Sequence, residues 1–391
     1  MSDCFIPYGR QWIDDADIAA VTACLQSDYL TTGPAVSAFE AAFAQTVQAS
    51  HALSCHSATA GLHLAYDGLG LKPGQCAIVP SITFVATANA ARYCGADVIL
   101  ADVDPHSGLM TPQTLQAALA ELQGRSGLVA PVHLAGVPCD MPALSALAKE
   151  QGLAVVEDAS HAVGSLDESG APTGACAHSD AAVFSFHPVK TLACGEGGMV
   201  TTQDAELADI LSRTRSHGVV RDAAQFERAE GADEPWWYEM QTLGWNYRMP
   251  DINAALGLSQ LNKLDRFAGR RRQLSQNYDE LLVELAPHVL APAGRPGVDP
   301  CRHLYNVQID FAAFGLSRSQ VMTGLREYGV GTQVHYIPVH QHPYYKALYG
   351  EKALPGAELY YERTLSLPLY PLMADEDPER VVRALGRVLG L

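Results

Sequence analysis

The chain has 391 residues, with 26 Lys plus Arg against 43 Asp plus Glu, a formal net charge of -17 at pH 7 and 48% hydrophobic residues. That charge repels a phosphate backbone and disfavours a nucleic-acid partner, while the apolar content is ample for a large domain plus a smaller one. The first residues lack a basic stretch followed by an apolar one, and no run approaches the roughly 20 apolar residues that span a bilayer, so no membrane partner and a cytoplasmic location are expected. Nine cysteines, an odd number without a CxxC pair, suit reduced and mostly buried thiols.

From about Asp14 to Thr202, helix-like amphipathic stretches alternate with short apolar runs at 76–80, 98–102, 128–132 and 153–158. This rhythm predicts an α/β domain with a mostly parallel sheet. Ligands of such sheets sit beyond the carboxyl ends of the strands, which singles out Asp102, His133 and above all Asp158. Residues 222–237 are acidic, lack apolar periodicity and read as a long excursion. Residues 253–285 read as strongly helical, with Arg270, Arg271 and Arg272 on a solvated face. The Pro/Gly-rich stretch at 292–300 breaks the pattern. A strand near 304–311, a helix at 317–328, an extended stretch at 330–338 and a last helix from Pro378 then predict a small α+β domain. The expected division is 1–265, including the N-terminal segment, and 266–391.

The segment FSFHPVKTLACGEGGMV, residues 184–200, sets Lys190 between an apolar strand-like run and a glycine-rich turn. An amine attacks an aldehyde only when neutral, and a pocket that partly dehydrates a lysine and gives it a fixed partner lowers its pKa. Lys190 therefore reads as the aldehyde-binding lysine of a pyridoxal phosphate (PLP) enzyme, against the alternative of a surface lysine after a strand. PLP also needs an acid for its pyridine nitrogen, a platform for its ring and donors for its phosphate. Asp158 is the candidate acid, with a helix cap as the alternative. Phe84 is the candidate platform, with a place in the core as the alternative. Ser57 and Thr59 lie where an apolar segment turns into a helix, so hydroxyls and amides converge there on an anion, a role compatible with capping. Ser185 is a further phosphate donor.

Three other features receive a plainer reading. Gly195, Gly197 and Gly198 follow the lysine and are too compact for a dinucleotide fingerprint, so they read as a turn passing close to the cofactor. His335, His340 and His342 are not read as a metal cluster, because the stretch between them is extended, and no metal is expected. Arg248 suits either an anionic substrate group or a structural ion pair.

Taken in order, SDYLTTGP, the HSAT helix start, ITFVATANA, EDASHA, SFHPVKTLACGEGG, RSHG, GWNYRMPDINAALGLSQL and QVHYIPVHQHPYY resemble the DegT-type sugar-nucleotide aminotransferases over nearly the whole chain. Within that family FHPVKT, WWYEMQTLGWNYRM and HYIPVHQHPYY are most similar to members of pseudaminic acid biosynthesis. Those aminate C4 of UDP-2-acetamido-2,6-dideoxy-β-L-arabino-hexos-4-ulose. The resemblance implies a PLP-dependent transferase of fold type I working by ping-pong. L-glutamate converts PLP, covalent on Lys190, to pyridoxamine phosphate, 2-oxoglutarate leaves, and the amine passes to the UDP-linked 4-keto sugar. It implies further that Asp158 binds the pyridine nitrogen, that His161 contacts the phenolic oxygen, and that Asn246 crosses a homodimer interface to the neighbour's phosphate. The implied cofactor contacts also include Ser57, Ala58, Thr59, Phe84 and Ser185. The implied sugar-nucleotide contacts are Tyr8, Asp28, Tyr29, Leu30, Thr31, Ala58, Ser185, Asn246, Gln333, Val334, His335 and Tyr336. His56 departs from the Asn that many relatives carry before SAT. The alternatives are another NDP-4-keto-6-deoxy sugar (the D-xylo epimer, or a GDP- or dTDP-linked one), a dehydratase, which Lys190 disfavours, and a non-catalytic sensor of PLP or sugar nucleotide.

Overall fold

Strands covered by helices on both faces need no polar alternation, and the apolar runs fold accordingly. In the computed structural model, which describes residues 5–228 and 233–391, they build one sheet of seven strands. These are β1 (His51–Cys55), β2 (Cys76–Pro80), β3 (Asp97–Ala101), β4 (Gly127–Val129), β5 (Ala154–Asp158), β6 (Ala181–Ser185) and β7 (Gly198–Thr202), in the order β1-β7-β6-β5-β4-β2-β3. Strands β2 to β6 pair in parallel, whereas β7 runs antiparallel to both β1 and β6.

The helices interleaved with this sheet are α1 (Asp15–Leu25), α2 (Pro34–Val47), α3 (Ala58–Gly68), α4 (Ala86–Tyr93), α5 (Pro112–Leu119), α6 (Met141–Glu150) and α7 (Ala205–Thr214). Side chains of Asp14, Ser57, Thr111, Asp140 and Asp204 cap their first turns, satisfying amides that have no partner inside the helix. The acidic excursion is held by a two-stranded hairpin, β8 (Val219–Val220) with β9 (Glu239–Met240), and its residues 229–232 lie outside the described ones.

The helical region expected at 253–285 is two helices, α8 (Asp251–Leu261) and α9 (Leu264–Leu282). Tertiary pairing overrides propensity at the break. Lys263 Nζ reaches Asp14 at 2.6 Å and the buried Asp17 at 2.7 Å, and Gln260 Nε2 donates to Asp17 at 2.7 Å. Arg271 is not on a solvated face either. It is wholly buried and donates to the carbonyls of Arg302, His303 and Leu369.

Beyond α9, strands β10 (Val289–Leu290), β11 (Tyr305–Ile309) and β12 (Thr364–Leu367) form an antiparallel sheet. It is accompanied by α10 (Arg318–Glu327), α11 (Pro343–Tyr349), α12 (Pro355–Arg363) and α13 (Asp377–Leu389). The stretch 330–338 does not become a strand. It contributes only isolated bridges, Ile6 with Val330 and Gln333 with Ser366, and β12 takes the expected place beside β11. Leu274, Tyr278, Tyr305, Val321, Leu325 and Leu385 share an apolar core here, distinct from the one under the seven-stranded sheet. Ile6 joins it, exchanging backbone hydrogen bonds of 2.8 Å with Gly329 and Gly331. Among the described residues no helix is long and apolar enough to cross a membrane.

Candidate active site

Because β7 runs against its neighbours, it begins at the edge where β1 and β6 end, and Gly198 lies opposite both Cys55 and Ser185. A side chain there is impossible without displacement: a Cβ on Gly198 would stand 2.6 Å from both the amide nitrogen of Ala58 and the carbonyl carbon of Ser57. The start of α3 is thereby laid directly over the strand. Ser57 adopts an extended backbone and accepts from the amide of Ala60 at 3.2 Å, so it does cap the helix. The first amides of α3, with the positive end of the helix dipole, remain available for an anion.

This helix start forms part of the wall of a cavity of about 410 Å³, within the usual size of a small-molecule site. Of the expected residues, Tyr8, Ser57, Ala58, Thr59, Phe84, Asp158, His161, Ser185, Lys190, His335 and Tyr336 line it. Asp28, Tyr29, Leu30, Thr31, Asn246, Gln333 and Val334 do not. Asp28, Tyr29 and Leu30 are exposed, and Thr31 bridges to Pro250. Asn246 is exposed and bridges to Ser216, and Gln333 is turned to Ser366, with its own side chain accepting from the amide of Val334 at 2.9 Å.

Lys190 closes the turn after β6, its amide donating to the carbonyl of His187 at 2.8 Å. Burial lowers its pKa to about 8, with the charge of Asp158 opposing the shift. Near pH 7.5 such a value raises the neutral fraction from about 0.1% to about a quarter. Asp158 ends β5 and is itself buried, so its oxygens need partners. Thr87 Oγ1 donates to Oδ2 at 2.7 Å, and the Ser160 amide donates to Oδ1 at 3.1 Å. Thr83 Oγ1 lies 2.8 Å from Thr87 Oγ1. Phe84 is 59% exposed, so its ring is a cavity wall and not a core residue.

Three imidazoles surround the lysine. The Ala135 amide donates to Nδ1 of His161 at 3.2 Å, and Tyr336 Oη lies 3.1 Å from its Nε2. His335 Nδ1 lies 2.8 Å from Ser366 Oγ, whose proton goes to Asn306 at 2.6 Å. His303 packs against the His161 ring with its Nδ1 buried and unpartnered. Burial, reinforced by the charge of Lys190, brings His335 down to about 3 and holds His161 and His303 well below the ordinary imidazole value. The cavity is thus walled by neutral rings.

Asp102, His133, His340 and His56 are tied into the structure away from the cavity. Asp102 accepts from the Gly356 and Ala357 amides at the start of α12. His133 is buried against Glu157 at 2.7 Å. His335 and His340 are committed to different serines, Ser366 and Ser81, and among the described residues no group of His, Cys, Asp and Glu is arranged to hold a metal ion. Arg248 is half-buried, lies off the cavity and makes no ion pair among the described residues. His56 places its ring edge-on to Tyr247 and donates its amide to the Tyr247 carbonyl at 2.9 Å.

Thr83, Ser160, His187, Val189, Glu196 and His303 also line the cavity without having been singled out in the sequence. The signal for Thr83 and its partner Thr87 is their spacing of four in an apolar stretch, which puts both hydroxyls on one side of a helical turn. For His303 there is no such signal.

With this geometry in hand, comparison with known proteins is decisive. The pattern of the DegT/DnrJ/EryC1/StrS aminotransferase family runs through residues 11–386. SpsC of Bacillus subtilis (strain 168), a spore coat polysaccharide biosynthesis protein, is 40% identical over 388 residues, covering 98% of this chain and 97% of SpsC. The chain belongs to the DegT/DnrJ/EryC1/StrS aminotransferase family. Among solved structures, Helicobacter pylori PseC, an aminotransferase involved in the biosynthesis of pseudoaminic acid, superposes with a TM-score of 0.89 at 27% identity over 99% of each chain. Spr1654 of Streptococcus pneumoniae in its PLP form gives a TM-score of 0.89 at 26% identity, again over 99% of each chain. The fold is therefore the type I fold of PLP-dependent transferases, and the protein is a PLP-dependent sugar-nucleotide aminotransferase. The cavity fits the cofactor: a lysine with a lowered pKa, a buried carboxylate held by two donors, an exposed aromatic face and a helix start open to an anion share one space.

Proposed function

We propose that this enzyme moves the amino group of L-glutamate to C4 of a UDP-linked 4-keto-6-deoxy-N-acetylhexosamine, the β-L-arabino-hexos-4-ulose of pseudaminic acid biosynthesis. The observation that carries the transfer chemistry is the meeting of Lys190, Asp158 and the α3 start in one cavity. Bound PLP supplies an electron sink next to the substrate carbon. In this reading Lys190 would hold the cofactor's aldehyde and, as a free amine, would carry the proton to and from the substrate carbon. Asp158 would keep the pyridine nitrogen protonated, Ser57, Ala58, Thr59 and Ser185 would hold the phosphate, and Phe84 would offer its face to the ring.

The reading includes a homodimer. Asn246 is exposed and off the cavity of its own chain, as suits a residue that completes the neighbour's phosphate site. Asp28, Tyr29, Leu30 and Thr31 are assigned to the sugar nucleotide on the same footing, with Tyr8, Gln333, Val334, His335 and Tyr336. A cytoplasmic site of action is supported by the eight described cysteines, all of which are free.

The choice of sugar rests on the resemblance to the pseudaminic acid enzymes and on the likeness to PseC. The higher identity to SpsC favours a second reading, an amino sugar for a surface polysaccharide made from a different NDP-4-keto sugar. Incubating the purified protein with glutamate and each candidate UDP-, GDP- and dTDP-4-keto sugar, then identifying the amino sugar by mass spectrometry and NMR, decides between them. Release of 2-oxoglutarate without an aminated C4 would sink the proposal.

A further inference from the structure

Both nitrogens of His161 are already engaged. A backbone N–H can only donate, so the 3.2 Å contact from Ala135 makes Nδ1 of His161 an acceptor without a proton. The ring proton of the neutral imidazole is then on Nε2, where its partner 3.1 Å away is Tyr336 Oη. Tyr336 Oη accepts this bond, and its own proton has no acceptor among the described residues, although the side chain lines the cavity. The two rings lie nearly parallel, 21° apart, with centroids at 6.1 Å.

We propose that Ala135, His161 and Tyr336 form a one-way hydrogen-bond relay in which His161 is a positioning residue and the Tyr336 hydroxyl is the donor delivered to an oxygen of the bound molecules. That oxygen is electron-rich, either the phenolic oxygen of the cofactor or the carbonyl oxygen of the keto sugar. The reading fixes the direction of every bond in the relay. Burial, and after it the neighbouring Lys190 and His335, disfavours a charge on His161, and among the described residues no carboxylate is hydrogen-bonded to its ring. Tyr336 is half-buried, and a phenol whose oxygen already accepts a bond keeps its proton for one bond toward the cavity. The inference rests on the aminotransferase assignment only for the identity of the acceptor.

The test compares Tyr336→Phe, His161→Leu, the double variant and His161→Gln, whose amide accepts with its oxygen and donates with its nitrogen. The PLP-loaded proteins are measured by absorbance without substrate, and each half-reaction is followed separately in single turnovers. The expected result is a loss of about 10- to 100-fold in Tyr336→Phe, matched by His161→Leu, not deepened in the double variant, and largely restored in His161→Gln. A spectral shift without substrate identifies the cofactor oxygen as acceptor, whereas an unchanged spectrum with only the sugar half-reaction slowed identifies the sugar oxygen. Multiplying losses in the double variant, or a Tyr336→Phe protein normal in both readouts, overturns the relay. Conversion of the wild-type spectrum by glutamate in the same experiment shows separately whether the transamination reading stands.

Discussion

Thr87 donates to Oδ2 of Asp158 across 2.7 Å, while Thr83 stands 2.8 Å behind the same hydroxyl. The proposed hold on a pyridine nitrogen needs a carboxylate of one orientation, and this pair of threonines fixes Asp158 from α4 and the loop before it. Thr87→Val is expected to lower kcat about tenfold or more, since a hydrogen bond to a buried charge contributes about 1.5–3 kcal/mol, with Thr87→Ser close to the parent. Asp158→Asn is expected to lose several powers of ten in turnover while still binding PLP, as electrostatic stabilisation of a carbanion is usually a large contribution. Steady-state amination rates measure both, and an Asp158→Asn enzyme of near-normal turnover would remove Asp158 from the mechanism.

Uptake of PLP by apoprotein should follow the protonation of Lys190. Only the neutral amine reacts, so the rate is expected to rise about tenfold per pH unit below about 8 and to level off above it. Lys190→Ala should yield no borohydride-fixed cofactor by mass spectrometry. A rate flat across that range in the parent protein would contradict the shifted lysine.

The buried imidazoles predict an acid weakness. An unfolded histidine takes up a proton near pH 6.5, whereas folded His335 resists until about 3. Below about pH 6.5 the unfolded state therefore binds the extra proton, and stability falls by about 1.4 kcal/mol per pH unit for each such group. Replacing His335 by Gln should flatten this acid limb in denaturant titrations of the apoprotein between about pH 6.5 and 5. An unchanged slope would mean that the ring is already charged in the fold.

If Asn246 completes the neighbour's site, Lys190→Ala and Asn246→Ala chains, each inactive, should complement each other when mixed. A mixed dimer contains one site with both residues intact, so random reassociation of equal amounts restores about a quarter of parental activity. No recovery from efficiently formed mixed dimers of folded parents would place Asn246 in the service of its own chain.

For the substrate, specificity constants should favour the UDP-linked β-L-arabino-hexos-4-ulose over its D-xylo epimer by tenfold or more, which needs only about 1.4 kcal/mol of misfit in the transition state. Preference for the D-xylo sugar, or for a GDP- or dTDP-linked one, would overturn the choice of sugar and leave the aminotransferase family untouched.

The parallel part of the sheet was legible because strands such as 76–80 and 153–158 are short apolar runs with no rival interpretation. Strand β1 (His51–Cys55) mixes polar and apolar residues, and only its pairing with β7 makes it a strand. The same dependence on distant partners explains the break at Lys263, fixed by Asp14 and Asp17, and the burial of Arg271 under three carbonyls. That Lys190, Asp158 and Ser57 would meet in one cavity was legible because the residues around each mark it as a strand end or a helix start. His303 was not, since a buried histidine carries no mark of what it will face.

The reversed direction of β7 also bears on how the protein is made. Strand β1 finds its neighbour only when Gly198–Thr202 arrives, nearly 150 residues later on the ribosome. Until then both edges of β1 are unpaired, where the finished sheet leaves it one, and the amides of Ala58 and Thr59 have no Gly198 beneath them. The start of α3 thus gains its support late in synthesis, and chains stalled before Gly198 expose a second strand edge to aggregation.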